Sequence, residues 1–338
     1  MAMKYIALPE EETRRLSFYL AMEEYAARHI EDDDDLFFMW QVEPSVIFGR
    51  NQLIESEVNT AYCRANSIQM FRRKSGGGCV YADKGNVMLS YITRDENVNF
   101  TFNRYINMVA LALFHLGVEA QATGRNDILI EGMKVSGNAF YHIPGRSIVH
   151  GTLLYDTNMA HMTGALTPSD DKLKSKGVES VRQHIALLKD YVNLGLGEVI
   201  SSIRQHLCDG DLTLNTTDIT AIEAIEQEYL TDEFIYGRNP GYTVVRRGRI
   251  EGAGEFEIRM EVKNNRLQSM NILGDYFQTG DIDAGIIRLL KGTEITPEAF
   301  DNALPSRLDD LILHLEKEPF INLIFNLQQY GKQKNLSL

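Results

Sequence analysis

Apolar positions along the chain follow two rhythms. Leu16, Tyr19, Leu20, Ala27 and Ile30 recur at helical spacing and predict a helix over 13–30, with Glu10 to Glu12 placed where a helix N-terminus favours carboxylates. The acidic run Glu31 to Asp35 reads as a solvated loop. Beyond it, 36–40 and 45–48 are short apolar runs parted by Glu43-Pro44, the pattern of buried strands broken by a turn. Strands are predicted again at 68–73 and 87–93, with the loops 49–52 and 75–78 beside them. A helical stretch at 103–116 stops at Gly117, and 118–122 is extended.

The most β-like region follows. Segments 127–130, 134–143 and 147–155 alternate, with turn signals at Glu131-Gly132 and Pro144-Gly145, so they should pair antiparallel. The lysine-bearing polar stretch 167–177 reads as a mobile loop, and 195–208 and 218–230 as helices. Texture changes near Gly241. Segments 242–249, 254–262 and 266–273 form a three-strand meander, followed by helical segments at 281–290, 297–303 and 305–315. This places a domain boundary near 241–253, with domains at 1–245 and 246–338. Antiparallel strands interleaved with helices argue for an α+β class rather than a doubly wound parallel sheet.

Composition narrows the function. A chain of 338 residues suits two domains, and 44% hydrophobic with 24% charged residues is ordinary for a folded protein. The longest apolar run, 108–114, is far short of the roughly 20 residues that span a bilayer. No secretory signal is visible at the N-terminus, and three widely spaced cysteines make neither a disulfide framework nor a CxxC metal cage, so a reducing cytoplasm is expected. A net charge of −13 disfavours nucleic acid as a partner but permits small anions held by a local nest of N–H groups.

Three segments carry candidate chemistry. The first is Arg72-Arg73-Lys74-Ser75-Gly76-Gly77-Gly78-Cys79-Val80-Tyr81, followed by Asp83, Gly85 and Asn86. Consecutive glycines let the backbone approach a ligand closely, and their N–H groups with a neighbouring arginine suit a phosphate; the same glycines also suit a plain turn between strands. The segment is neither a P-loop nor a dinucleotide fingerprint. The second is Gly124-Arg125-Asn126-Asp127 with Lys134-Val135-Ser136-Gly137-Asn138-Ala139, where Lys134 either points into a pocket as a compact cation or lies exposed on an edge strand. The third is His150-Gly151-Thr152-Leu153-Leu154, where Gly151 would allow close approach of a substrate chain and the histidine is either structural or part of a site. Cys79 reads as a small buried thiol rather than a nucleophile, and no His/Asp/Glu cluster indicates a transition metal.

In this order and spacing, RRKSGGGCVY, GRNDI, KVSGNA and HGTLL resemble the lipoate–protein ligases of the biotin/lipoate ligase-like fold. Trp40, VIFGRNQ at 46–52, KSKGV at 174–178, Val181-Arg182 and GDYF at 274–277 add to the resemblance. It is strongest over about 15–195 and extends into a C-terminal accessory domain. Ala82 and Val149 stand where such ligases often carry histidine, but neither departure removes a charge that the chemistry needs.

The resemblance implies a class II aminoacyl-tRNA synthetase/biotin ligase-like sheet, mixed and largely antiparallel, with flanking helices and a small α+β accessory domain. It implies ATP-dependent activation of lipoate to lipoyl-AMP, then transfer to a lysine of a lipoyl domain of a 2-oxoacid dehydrogenase complex or of the glycine-cleavage H protein. Lys134 would be catalytic. Arg73, Gly78, Cys79, Val80, Tyr81, Asn86, Asn126, Asp127 and Lys134 would bind nucleotide, with Asp127 the candidate ligand for Mg2+. Arg73, Gly76, Gly77, Lys134, Gly137, His150, Gly151, Thr152 and Leu153 would bind lipoate, and 167–177 would close over the adenylate. An octanoyltransferase of the same fold would need a thioester-forming cysteine, and none lies near His150 or on the Lys134 strand. A biotin ligase, or a non-catalytic carrier binder that retains the fold, fits these motifs less well.

Overall fold

The computed structural model describes residues 2–10, 12–52, 54–95, 97–123, 126–166, 184–236, 244–263 and 266–325. The expected loop at 167–177 lies outside the described residues, as do Gly124 and Arg125. Contacts divide the chain into two compact units. The described residues of 2–48, 54–74 and 79–236 form the first, and those of 49–52, 75–78 and 244–325 the second.

The first unit is built on an eight-stranded mixed sheet. Its strands are β1 (Met3–Ala7), β2 (Asp35–Trp40), β6 (Asn86–Thr93), β7 (Ala120–Ala122), β8 (Asp127–Ile130), β9 (Met133–Ile143), β10 (Arg146–Leu154) and β11 (Gly210–Thr213), in the order β11-β1-β2-β6-β10-β9-β8-β7. β1 pairs parallel with β11 and β2, and the remaining neighbours are antiparallel. A smaller sheet joins β3 (Ser45–Phe48), β4 (Gln69–Arg72) and β5 (Val80–Ala82).

Every residue of β6 and β10 is buried because both faces of the central sheet are covered. The Leu16–His29 helix packs on one face and the Val98–His115 helix contributes to the other. That is why these strands read as near-continuous apolar runs instead of clean alternation. The Val98–His115 helix begins five residues before its predicted start, capped by the Asn97 side chain, which accepts from Phe100 N. β1 and β11 escaped the sequence reading. β11 is Gly-Asp-Leu-Thr, a polar edge with no apolar rhythm to betray it.

The second unit carries the expected meander, β12 (Val244–Ile250), β13 (Gly254–Lys263) and β14 (Arg266–Gly274). Phe256, Ile258 and Met260 alternate inward along β13 and pack with Ile272, Tyr276 and the Pro297–Ala303 and Lys317–Phe325 helices. The helix expected over 305–315 is not formed, and the helix lies at Lys317–Phe325 instead. Leu308, Ile312 and Leu315 have helical spacing and are buried, but the main chain bonds sideways. Leu313 N donates to Phe277 O, Thr279 N and Gly280 N donate to Leu311 O, and His314 takes a positive φ.

Candidate active site

The sheet register sorts the third motif by face. His150 pairs with Ser90 on β6 and Ala139 on β9, and Thr152 pairs with Met88 and Gly137. Side chains directly opposite share a face, and successive residues alternate. His150 and Thr152 therefore face the Leu16–His29 helix, and Gly151 and Leu153 face the Val98–His115 helix. The expectation that all four line one slot is corrected by this alternation.

On the first face lies a buried polar chain. Trp40 Nε1 donates to Ser90 Oγ at 2.9 Å, and Ser90 Oγ donates to Glu23 Oε1 at 2.6 Å. His150 Nδ1 stands 2.9 Å from Glu23 Oε2 and 3.0 Å from Oε1, within hydrogen-bond reach of both carboxyl oxygens. Glu23 and Ser90 are wholly buried and His150 is 6% exposed. The Tyr141 ring lies 6.0 Å from the imidazole. The sequence reading missed Glu23. Its signal was an acid on the apolar stripe of a helix, three residues after Leu20 and before Ala26 and Ala27.

Lys134 is not on a free edge. Its residue pairs with Leu129 of β8 on one side, and on the other its N donates to His184 O and its O accepts from Ala186 N. A register shift at Ile128/Leu129 turns the strand here, as an extra residue in a ladder does. The ammonium lies 2.8 Å from Asp127 Oδ1, and both side chains are partly exposed. A Cβ on Gly137 would lie 2.7 Å from Lys134 Cε and 2.8 Å from Nζ. The glycine therefore makes room for the lysine itself, and the ammonium sits on the same face as Thr152 and His150. The rows of Gly137 and His150 are two residues apart, about 7 Å along the strand.

The opposite face is filled. A Cβ on Gly151 would lie 1.8 Å from Asn138 Oδ1 and 3.1 Å from the Tyr105 hydroxyl, so the space above this glycine is taken by protein. The Asn138 amide donates to Asn126 O at 2.9 Å. Asn86 is fully buried at the start of β6, donates to Thr157 Oγ1 at 3.1 Å, and its Oδ1 has no partner among the described residues.

Arg73 is 5% exposed and donates to Ile47 O at 3.1 Å. Burial pushes its guanidinium down to about 10, against the pull of Glu23 upward, so it remains a cation at neutral pH. Cys79 is half-buried, and burial pushes its thiol well up, which disfavours the thiolate. Val80 and Tyr81 belong to β5, and Tyr81 is 2% exposed.

The three glycines are not equivalent. Gly77 adopts φ +84° and donates to Tyr276 O at 2.9 Å. A Cβ on Gly76 would lie 2.3 Å from that same carbonyl, whereas a Cβ on Gly78 meets nothing within 4 Å. Close backbone packing accounts for Gly76 and Gly77, and open space remains at Gly78. Among the described residues no three His, Cys, Asp or Glu side chains converge as a metal cage.

Residues 16–208 match the Lipoyl protein ligase A/B catalytic domain family, and 239–324 match the Bacterial lipoate protein ligase C-terminus family. Lipoate-protein ligase LplJ of Bacillus subtilis (strain 168) is 34% identical over 318 residues, covering 90% of this chain and 96% of that protein. The structure of P. falciparum LipL1 in complex with lipoate superposes with a TM-score of 0.72 at 20% identity, covering 98% of this chain and 99% of that one. A bi-partite lipoate protein ligase from Thermoplasma acidophilum, studied with its E2 lipoyl domain, gives a TM-score of 0.63 at 24% identity and covers 72% of this chain and all of that one. The chain belongs to the lipoate–protein ligases, and it is a ligase enzyme acting on lipoate.

Proposed function

We propose that this ligase activates free lipoate with ATP to lipoyl-AMP and then transfers the lipoyl group to a lysine of a carrier domain. The observation that carries this reading is the Lys134 ammonium lying over Gly137 on the face that holds His150 and Glu23. A carboxylate anchored at Lys134 would send its hydrocarbon tail along Thr152, and about 7 Å on it would meet the ring environment of Trp40 and His150.

In the first step a lipoate oxygen attacks the α-phosphorus and pyrophosphate leaves. Two anions must approach, so the step depends on charge neutralisation and positioning. Lys134 would contact both the carboxylate and the α-phosphate, with Arg73 and the backbone at Gly78 to Tyr81 holding the nucleotide. In the second step a carrier lysine amine attacks the acyl carbon and AMP leaves. Asn86 and Asn126 are the nucleotide contacts assigned beside Lys134.

Magnesium bound through substrate phosphates needs only one or two protein carboxylates. Asp127, partly exposed beside Lys134, is the side chain suited to it. The ion would supply charge neutralisation on the phosphates. Carriers would be lipoyl domains of 2-oxoacid dehydrogenase complexes or the glycine-cleavage H protein. The T. acidophilum ligase studied with an E2 lipoyl domain supports the former class. Among the described residues no helix is long and apolar enough to cross a membrane.

The test is pyrophosphate release from ATP with and without lipoate, followed by mass spectrometry of a carrier domain. Lipoate-dependent release and a gain of one lipoyl group on one lysine are expected. ATP-independent acyl transfer would overturn the reading.

A further inference from the structure

We infer that Gly151 and Asn138 form a positioning relay that sets the Asp127–Lys134 pair, so that the glycine of HGTLL acts on the nucleotide side of the site rather than on the lipoate tail. This rests on the adenylating function proposed above.

The starting point is the face on which Gly151 lies. It points away from His150 and Thr152, and a Cβ there would be 1.8 Å from Asn138 Oδ1 and 2.8 Å from Asn138 Cγ. The absent side chain is thus the room in which the Asn138 amide lies. Asn138 is 4% exposed, and its polar atoms are committed. Its Oδ1 accepts from Ser136 Oγ at 3.2 Å. Its Nδ2 and its backbone N both donate to Asn126 O, at 2.9 and 3.0 Å.

Two donors from one residue on a single carbonyl hold that peptide group in place. The next residue is Asp127, which pairs with Gly137 in the ladder and with Lys134 Nζ at 2.8 Å. The ladder between β8 and β9 shifts register only one residue further on, at Ile128/Leu129, so regular pairing is short here and Asn138 supplies the missing fixation. A side chain on Gly151 would push the amide off Asn126 and release the Asp127 carboxylate from its setting against the lysine.

The experiment is a double-mutant cycle of Gly151→Ala and Asn138→Ala, reading KM for ATP, KM for lipoate, and relative rates with straight-chain acids of six, eight and ten carbons. Either single variant should raise KM for ATP by about tenfold, the scale of one lost buried hydrogen bond, and KM for lipoate with it through the shared Lys134, with the chain-length profile unchanged. The double variant should be no worse than Asn138→Ala, because the obstructed amide is gone. Additive losses, or a chain-length profile that shifts in Gly151→Ala, would overturn the relay. If Gly151→Ala alone fails to fold, the double variant decides. Recovery of folding supports the relay, and failure of the double beside a sound Asn138→Ala overturns it. Absence of lipoate-dependent pyrophosphate release by the unaltered enzyme would instead sink the adenylating function itself.

Discussion

The His150 imidazole and the Glu23 carboxyl meet at 2.9 Å across the face between a helix and the central sheet, Glu23 wholly buried and His150 nearly so. Without His150 the buried Glu23 carboxyl loses one partner and keeps the Ser90 hydroxyl, and a buried acceptor left short of a donor costs about 1–3 kcal/mol. His150→Ala should therefore lower unfolding stability by about that amount, and adding Glu23→Gln should recover part of it. Urea denaturation of the three variants checks this, and a His150→Ala protein as stable as the parent would show that Glu23 has other compensation.

Lys134→Ala should slow adenylate formation by roughly 10²–10³, the usual cost of deleting one electrostatic stabiliser of a transition state. Lys134→Arg should rescue poorly, since a planar fork cannot replace a compact cation above Gly137. Transfer from supplied lipoyl-adenylate should suffer less. Single-turnover pyrophosphate release beside single-turnover transfer separates the two steps.

Gly137→Ala is expected to imitate the lysine deletion. Its methyl would fall within 2.8 Å of Lys134 Nζ, and the ammonium is the part able to move. Adenylation should drop while thermal stability changes little, and the loss should be absent in a Lys134→Ala background.

Substitutions in the glycine loop should divide by position. Gly76→Ala would collide with the Tyr276 carbonyl at 2.3 Å and Gly77→Ala would be strained at φ +84°, so both should reduce stability by about 1–3 kcal/mol. Gly78→Ala meets open space, and its effect should be confined to KM for ATP. Calorimetry together with steady-state kinetics on the three variants tests the division.

Acid should weaken the root of that loop. Burial pushes the Glu24 carboxyl up, but hydrogen bonds and charge from Lys74 and Arg28 outweigh it and hold the carboxyl below its ordinary value. A carboxyl lowered by folding contributes stability above its unfolded pKa, and that stability is lost as pH falls through the folded pKa. Unfolding midpoints should thus drop below about pH 4.5, and Lys74→Met should flatten the drop. An unchanged slope in Lys74→Met would exclude this pair as its source.

Much of this was readable from residues alone. The meander at 244–274 announced itself because its inward positions alternate with polar ones over one buried face. The segment 305–315 misled because Leu308, Ile312 and Leu315 satisfy helical spacing while the main chain between them, at Leu311 O and Leu313 N, bonds to 277–280, a partner that periodicity cannot see. Within the site, Arg73, Lys134 and His150 were visible as motif residues. Glu23 was not, because one acid in a helix looks like any solvated charge until its face is known to be covered. The glycines at 137 and 151 were noticed for a correct reason, close approach, but the approaching groups are Lys134 and Asn138.

Within the second unit, segments far apart in the chain are tied by main-chain atoms: Gly77 N to Tyr276 O, and Gly274 N to Asn51 O. Such ties are blind to side-chain identity. The side chain at 51 can change without removing its carbonyl, and that at 276 is held by core packing and not by its tie, whereas a proline at 77 or 274 would delete a donor at a stroke. A chimera that borrows a distant relative's C-terminal half should keep these ties as long as the backbone course around 274–277 is preserved, however little of the borrowed sequence matches.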